Sequence, residues 1–218
     1  MEMESELFNT ITEHLMLNQK PSDYLNWLSD LESFKQWPFS MLGRLKDTEQ
    51  SKIHHPEGNV WNHTMLVLDE AAAVREKSSD PKAFMWAALL HDIGKPDTTR
   101  IKGDKITAYN HDSVGADLAK EFLEAVTSEQ DFILKVSMLV KYHMHMLYIL
   151  KDLPFSDKKG LVSSVNINDI SLLGYCDRLG RKAADRNKII EEYSRFYSIL
   201  ETMEKKYCSF GLIKTFRK

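Results

Sequence analysis

The sequence predicts an all-α fold: a helical bundle with an N-terminal helical extension. Three observations predict it. Apolar residues recur at spacings of three and four along nearly the whole chain, the mark of amphipathic helices. Helix-start signals such as Asp80-Pro81 stand where periodic stretches begin. Residues 97–109 stand out as having no helical period.

Taken in order, Leu7, Ile11, Leu15 and Met16 share one face of a first helix, and Tyr24, Leu25, Leu28 and Leu31 one face of a second. Pro38 interrupts the next stretch, and Phe39 to Arg44 reads as a short helix ended near Gly43. Residues 46–58 are polar and close on His-His-Pro-Glu-Gly, a loop by its Pro and Gly. A helix is expected from Val60 to Lys77. Asp80 caps the next, Pro81 occupies its first position, and it should stop at Gly94 and Pro96. Gly103-Asp104 fits the turn of a small hairpin between Thr99-Arg100-Ile101 and Ile106-Thr107. Asp112 or Ser113 opens a helix to Val126, and a single helix is expected from Glu129 to Met146. Pro154 and Gly160 mark a mobile connection. Asn168 or Asp169 opens a helix through Asp177, and a last one covers Lys188 to Lys206. With no repeat or strong linker, two units are expected: residues 1–55 as an extension or cap, and 56–218 as the main domain.

The chain has 218 residues, 43% hydrophobic and 28% charged, enough for a sizeable core. A net charge of -3 argues against a dedicated nucleic-acid protein, which carries a basic excess. It leaves room for a local basic patch and a small phosphorylated or nucleotide substrate. Cys176 and Cys208 make no disulfide framework, and a reduced cytoplasm is the default. The acidic start lacks an apolar signal core, and the longest apolar run, Ala83 to Leu90, is too short to span a bilayer. A cytoplasmic location without a membrane is expected; the oligomeric state stays open.

His63, the adjacent pair His91-Asp92, His111, His143 and Asp177 have the chemistry of one metal centre. Imidazole and carboxylate hold catalytic divalent ions that keep positions open for water and substrate. Only folding brings such dispersed residues together. His91 and Asp92 end a very apolar helix, and adjacent helical residues point about 100° apart, so both can reach one ion. His63, His91, Asp92 and Asp177 make a first site; His111 and His143, with Asp92 as the bridge, make a second. One or two ions of Mn, Fe, Co, Ni or Zn are expected. A lone histidine is more often a satisfied polar residue than a ligand, and the cluster is what changes that reading. His145, two residues from His143, falls on a different helical face, so His143 is preferred. His14 and His54 have no supporting pattern. Met138, Leu139, Met144, Met146 and Leu147 read as core, and Cys176 as packing.

The strings HPEGNVWNHTMLVLDEA (residues 55–71), HDIGKPDTT, ITAYNHDSVGADLA, HMH and DRLGR resemble, in this order, the HD domain of bacterial tRNA nucleotidyltransferases. The resemblance covers about residues 38–186. It implies the all-α HD-domain helical bundle and divalent-metal hydrolysis of phosphomonoesters or phosphodiesters, 2',3'-cyclic nucleotides among them. It places His63, His91, Asp92 and Asp177 at the primary ligand positions, and His111 and His143 at those of a two-metal site. Lys95 matches a lysine that contacts the substrate phosphate in related phosphodiesterases. The departures narrow the expectation. There is no Gly-Gly pair and no Gly-rich turn followed by paired acids, so nucleotide addition to tRNA is not expected. No GYP motif follows the HD helix. Gly94-Lys95 stands where stringent-response hydrolases carry an acidic pair.

The expected mechanism is hydrolysis in which a divalent ion activates water and neutralises charge developing on phosphate oxygens. Asp92 and Lys95 are the candidate catalytic residues, Lys95 acting on the phosphate. Arg178 and Arg181 are further phosphate-binding candidates, with solvated side chains as the alternative. His55 is a candidate substrate-side proton donor. For Lys95 the plain alternative is a charge favoured at a helix C-terminus. Two rival functions remain: a nucleotidase restricted to monophosphates, and a non-catalytic module that senses a metal or nucleotide.

Overall fold

The computed structural model describes residues 2–182 and 184–209; the last nine residues of the expected main domain, 210–218, lie outside them. Helices α1 (Glu2–Leu17), α2 (Pro21–Leu28) and the one-turn α3 (Ser40–Gly43) precede α4 (Val60–Ala72) and α5 (Pro81–Leu90). The single turn α6 (Lys95–Thr98) leads into an antiparallel hairpin of β1 (Thr99–Lys102) and β2 (Lys105–Ala108), with Thr99 opposite Ala108. Then come α7 (His111–Glu124), α8 (Gln130–Tyr142), α9 (His145–Leu150), α10 (Lys158–Ser164), α11 (Ile167–Leu179) and α12 (Arg186–Ser209). The fold is all-α, and no helix among the described residues is long and apolar enough to cross a membrane.

The centre of the molecule is α5. Every residue from Ala83 to Leu90 is buried. A helix apolar all round is stable only with neighbours on every side, and α1, α4, α8 and α11 supply them. Asp80 caps it by accepting from the Ala83 N–H, with Pro81 next. The N-terminal 55 residues share this core: Phe8 stacks on Trp86 with centroids 4.7 Å apart, and Trp61 Nε1 donates to Asn26.

Several boundaries differ from expectation. Helix α7 starts at His111 with Asn110, in the left-handed region, at its N-cap, ahead of the expected Asp112 or Ser113. Helix α4 ends at Ala72, and a 3-10 turn, Arg75–Lys77, finishes the stretch read as one helix. Residues 158–164, expected as a connection, form α10, because Asp157 caps them and Leu161 and Val162 have a core to enter. Asn166 caps α11, accepting from the N–H groups of Asn168 and Asp169; Asp169 accepts instead from the Ser79 N–H. The helix expected from Glu129 to Met146 breaks after Tyr142, so that His143 becomes the C-cap of α8 and α9 starts at His145.

Candidate metal centre

That break has a chemical consequence. A helix end leaves backbone carbonyls without intrahelical partners. His91, the C-cap of α5, uses one: its Nδ1 lies 2.8 Å from Ala88 O. His143 does the same at 2.6 Å from Val140 O. His111, first in α7, sits 2.6 Å from Ala108 O at the end of β2. A carbonyl only accepts, so in each neutral imidazole Nδ1 carries the proton and Nε2 the lone pair. Three lone pairs are therefore aimed inward. The carboxyl-terminal ends of α5 and α8 add negative partial charge at the same place.

Asp92 stands among them and is 1% exposed. Its Oδ2 lies 3.2 Å from His91 Nε2 and 3.9 Å from His63 Nε2. Its Oδ1 lies 3.5 Å from His111 Nε2 and 3.8 Å from His143 Nε2. One carboxylate thus presents one oxygen to each of two histidine pairs. Asp177, from α11, puts Oδ1 3.0 Å from His63 Nε2. Two glycines let these helices close in. A Cβ on Gly94 would meet His111 O at 2.2 Å, and one on Gly180 would meet Val67 Cγ2 at 2.4 Å. Gly94 brings the end of α5 onto α7, and Gly180 brings α11 onto α4.

The donor set fits a divalent ion. His111 Nε2 and His143 Nε2 are 3.2 Å apart. With both protons on Nδ1, two lone pairs face each other, an arrangement that a cation relieves. His91 Nε2 is buried without a hydrogen-bond partner. Ligand atoms about 2.1 Å from a shared ion stand about 3–3.4 Å apart at ordinary coordination angles; the closer spacings here fall in that range. Burial lowers the pKa of His111 and, with His111 and His91 nearby, that of His143 to about 4. Burial would raise the Asp92 and Asp177 carboxyls, but Lys95 and His91 beside Asp92, and Arg181 and His63 beside Asp177, hold both well below the usual range. The two carboxyls are thus held ionised, and His111 and His143 are held neutral at neutral pH. Burial would lower His63, but its hydrogen bonds to Asp177 and Glu57 push it the other way, upward. The His/Asp cluster is able to hold a divalent metal.

Glu57 is the residue that sequence reasoning missed. Its side chain is fully buried, and Oε1 lies 3.0 Å from His63 Nδ1 and 2.8 Å from His55 Nδ1. It fixes His63 with Nε2 toward Asp177 and Asp92, the usual job of a carboxylate behind a ligand histidine. Burial would raise Glu57, but its hydrogen bonds with His63, its own backbone and His55 bring it to about 2. The available signal was an acid two residues from His55, in a loop read only for its Pro and Gly.

The remaining candidates divide. Lys95 is buried, with Nζ 2.7 Å from Asp92 Oδ2 and 2.6 Å from Gln50 Oε1. It lines a cavity of about 610 Å³ together with Asp92, Asp177, His55 and Arg181. Arg181 lies 3.8 Å from Asp177, with its Nε buried and unpartnered. Arg178 does not join them: it donates to Glu192 of α12 at 2.7 Å and is absent from the cavity wall. Arg178 is adjacent to Asp177 in α11 and so points about 100° away from it, whereas Arg181 follows the end of that helix at Gly180 and turns back toward Asp177. His55 also lines the cavity, and burial, Lys95 and His63 push it down to about 4. His145 lies apart, its Nε2 accepting from the Asp157 N–H.

Comparison with known proteins agrees with this centre. The family model for the HD domain matches residues 60–187, more than half of the chain. The multifunctional CCA protein of Actinobacillus pleuropneumoniae is 34% identical over 110 residues, covering 49% of this chain and 26% of that protein. The multifunctional CCA proteins of Hahella chejuensis and Pasteurella multocida are 32% and 30% identical, over 59% and 62% of this chain and 29% and 32% of theirs. The chain thus spans about a quarter to a third of the length of these relatives. The family model's match covers α4 to α11, the helices and helix ends that carry His63, His91-Asp92, His111, His143 and Asp177. The chain belongs to the HD-domain family, within the superfamily of metal-dependent phosphohydrolases.

Proposed function

We propose that this protein hydrolyses phosphodiesters, 2',3'-cyclic nucleotides among them, or phosphomonoesters. The observation that carries this reading is the convergence of three Nε2 lone pairs on both oxygens of Asp92 at the floor of a cavity lined by Lys95 and Arg181. A divalent ion bound there supplies charge neutralisation and acidifies water. His63, His91, Asp92 and Asp177 hold one position, and His111 and His143 with Asp92 hold the other. Glu57 keeps His63 in the ligating tautomer.

Lys95 and Arg181 bind the phosphate and offset its charge. Lys95 is ion-paired with Asp92 and hydrogen-bonded to Gln50, which orients its ammonium group before substrate arrives. In a diester, water oxygen forms a bond to phosphorus, one phosphorus–ester oxygen bond breaks, and that oxygen leaves as the alcohol after taking a proton. The products are a phosphomonoester and a hydroxyl. His55, neutral and held to Glu57, presents Nε2 as an acceptor on the substrate side.

The test is a substrate panel on protein stripped with chelator and resupplied with Mn, Co or Ni. It contains an aryl phosphodiester, 2',3'-cyclic nucleotides, nucleoside monophosphates and cyclic dinucleotides. Hydrolysis of the aryl diester and of at least one 2',3'-cyclic nucleotide is expected. Hydrolysis of monophosphates alone makes the protein a nucleotidase. Nucleotide binding without turnover under every metal contradicts the hydrolytic reading and favours a sensing module.

A further inference from the structure

The metal centre occupies only one side of the cavity. The other wall is built from β2 and the residue after it, from α9, and from the segment that follows α9, and it is aromatic. Tyr109, Tyr148 and Phe155 line it, with Leu147 and Leu153 between. Tyr109 is 70% exposed and Phe155 64%. Single exposed apolar residues need no explanation. Here two exposed rings converge on one cavity whose floor carries the candidate metal ligands.

The backbone near both rings is anchored. Tyr109 is two residues from His111, which is fixed to Ala108 O. The segment bearing Phe155 is tied down on either side: the Leu153 N–H donates to Tyr148 O at 2.8 Å, and the Asp157 N–H donates to His145 Nε2 at 3.1 Å. Tyr148 stands edge-on to Phe155 with centroids 5.7 Å apart, and its hydroxyl donates to Asp112 at 3.3 Å. The Leu153 and Asp157 bonds hold the backbone on both sides of Phe155, whose ring stands at the cavity. A site for phosphate alone needs charge and hydrogen-bond donors, which Lys95 and Arg181 already provide. The aromatic wall calls for a planar, apolar-faced group carried by the same ligand.

We infer that Tyr109, Tyr148 and Phe155 form a stacking subsite for the heterocyclic base of a nucleotide whose phosphate reaches the metal centre. The inference rests on the phosphohydrolase reading for the position of the phosphate. The cavity volume of about 610 Å³ falls within the range of roughly 300–1,000 Å³ usual for small-ligand sites. Aromatic faces accept any base, so the subsite selects nucleotides over non-nucleoside esters more strongly than one base over another.

The test separates the subsite from the chemistry. Metal-stripped protein is titrated into 2-aminopurine riboside, whose fluorescence is quenched by stacking. Quenching is expected, with adenosine competing and ribose not competing. Tyr109→Ala/Phe155→Ala should weaken binding roughly 5- to 150-fold, the range for loss of base stacking. Both side chains are exposed, and circular dichroism checks the fold. Trp27→Ala, on α2 and outside the cavity, should leave the quench unchanged. With metal restored, the ratio of kcat/KM for 2',3'-cyclic AMP to that for glycerol 1,2-cyclic phosphate should fall at least as far in the double variant. No quench by wild type, or the same affinity in the double variant, overturns the subsite whatever the enzyme hydrolyses. Quenching without turnover of any phosphate ester overturns the hydrolytic reading and leaves the subsite standing.

Discussion

Glu57→Gln isolates the group behind His63. The substitution keeps the volume and one acceptor oxygen. Its new amide nitrogen takes the place of Oε2, which has no hydrogen-bond partner, so the fold should hold. What disappears is the charge on Oε1, 3.0 Å from His63 Nδ1 and 2.8 Å from His55 Nδ1. A hydrogen bond to a charged group contributes about 1.5–3 kcal/mol and a neutral one about 0.5–1.5. The loss at His63 is then about 1–1.5 kcal/mol, close to a tenfold effect. Outer carboxylates behind metal-ligating histidines commonly carry about 10–100-fold in affinity or activity, and this estimate falls at the lower end. The assay is Co or Mn titration of stripped protein against a chromophoric chelator at fixed pH. Affinity should drop about tenfold. Unchanged affinity would mean that Glu57 merely satisfies a buried histidine, and the argument for a tuned ligand would fail.

Asp92→Asn removes charge from the carboxylate that faces both histidine pairs; most bound metal and all turnover should be lost, whereas His143→Ala should lose mainly one of two ions, as elemental analysis would reveal. Lys95→Met removes a cation 2.7 Å from Asp92: metal binding should hold or tighten while hydrolysis slows by about 2.7–4 kcal/mol in the barrier, by analogy with loss of an oxyanion donor; unchanged turnover would reduce Lys95 to charge compensation for Asp92. In metal-free protein His143 titrates at about 4 against an ordinary 6.5, owing to burial, then His111 and His91. Between those values the unfolded chain binds a proton that the folded chain refuses. The contribution is fully present above pH 6.5 and is lost as pH falls toward 4. Across that window wild type should lose on the order of 3 kcal/mol more than metal-free His143→Gln in denaturant melts, and parallel losses would contradict the assignment.

The bundle was legible because periodicity reports burial directly. The stretch Ala83–Leu90 reads as a wholly buried helix and is one. The hairpin was legible from Gly103, whose φ of +58 the turn requires. The break after Tyr142 was not, because neither Pro nor Gly marks it; the chain passes from α8 to α9 through His143 and Met144 in ordinary helical dihedrals. Residue types nominated the ligand set, but the tautomers rest on carbonyls three residues back, visible only once the helix ends are placed. Glu57 was hidden because a carboxylate behind a histidine obeys no spacing rule. Arg178 and Arg181 were indistinguishable by charge; the end of α11 between them separates them, one on the helix facing Glu192 and the other past Gly180 at the cavity.

The most direct test of the account is metal uptake. Protein purified without added metal is analysed for its elements, then stripped and titrated with Co while the visible absorption of the ion is followed. The account predicts one or two equivalents of a transition metal, a spectrum typical of nitrogen and oxygen ligands, and affinity that weakens as pH falls below about 6.5, where histidine ligands take up protons. Metal content under about a tenth of an equivalent, with no uptake on titration at pH 7, would contradict it, since sites of this donor chemistry bind such ions tightly.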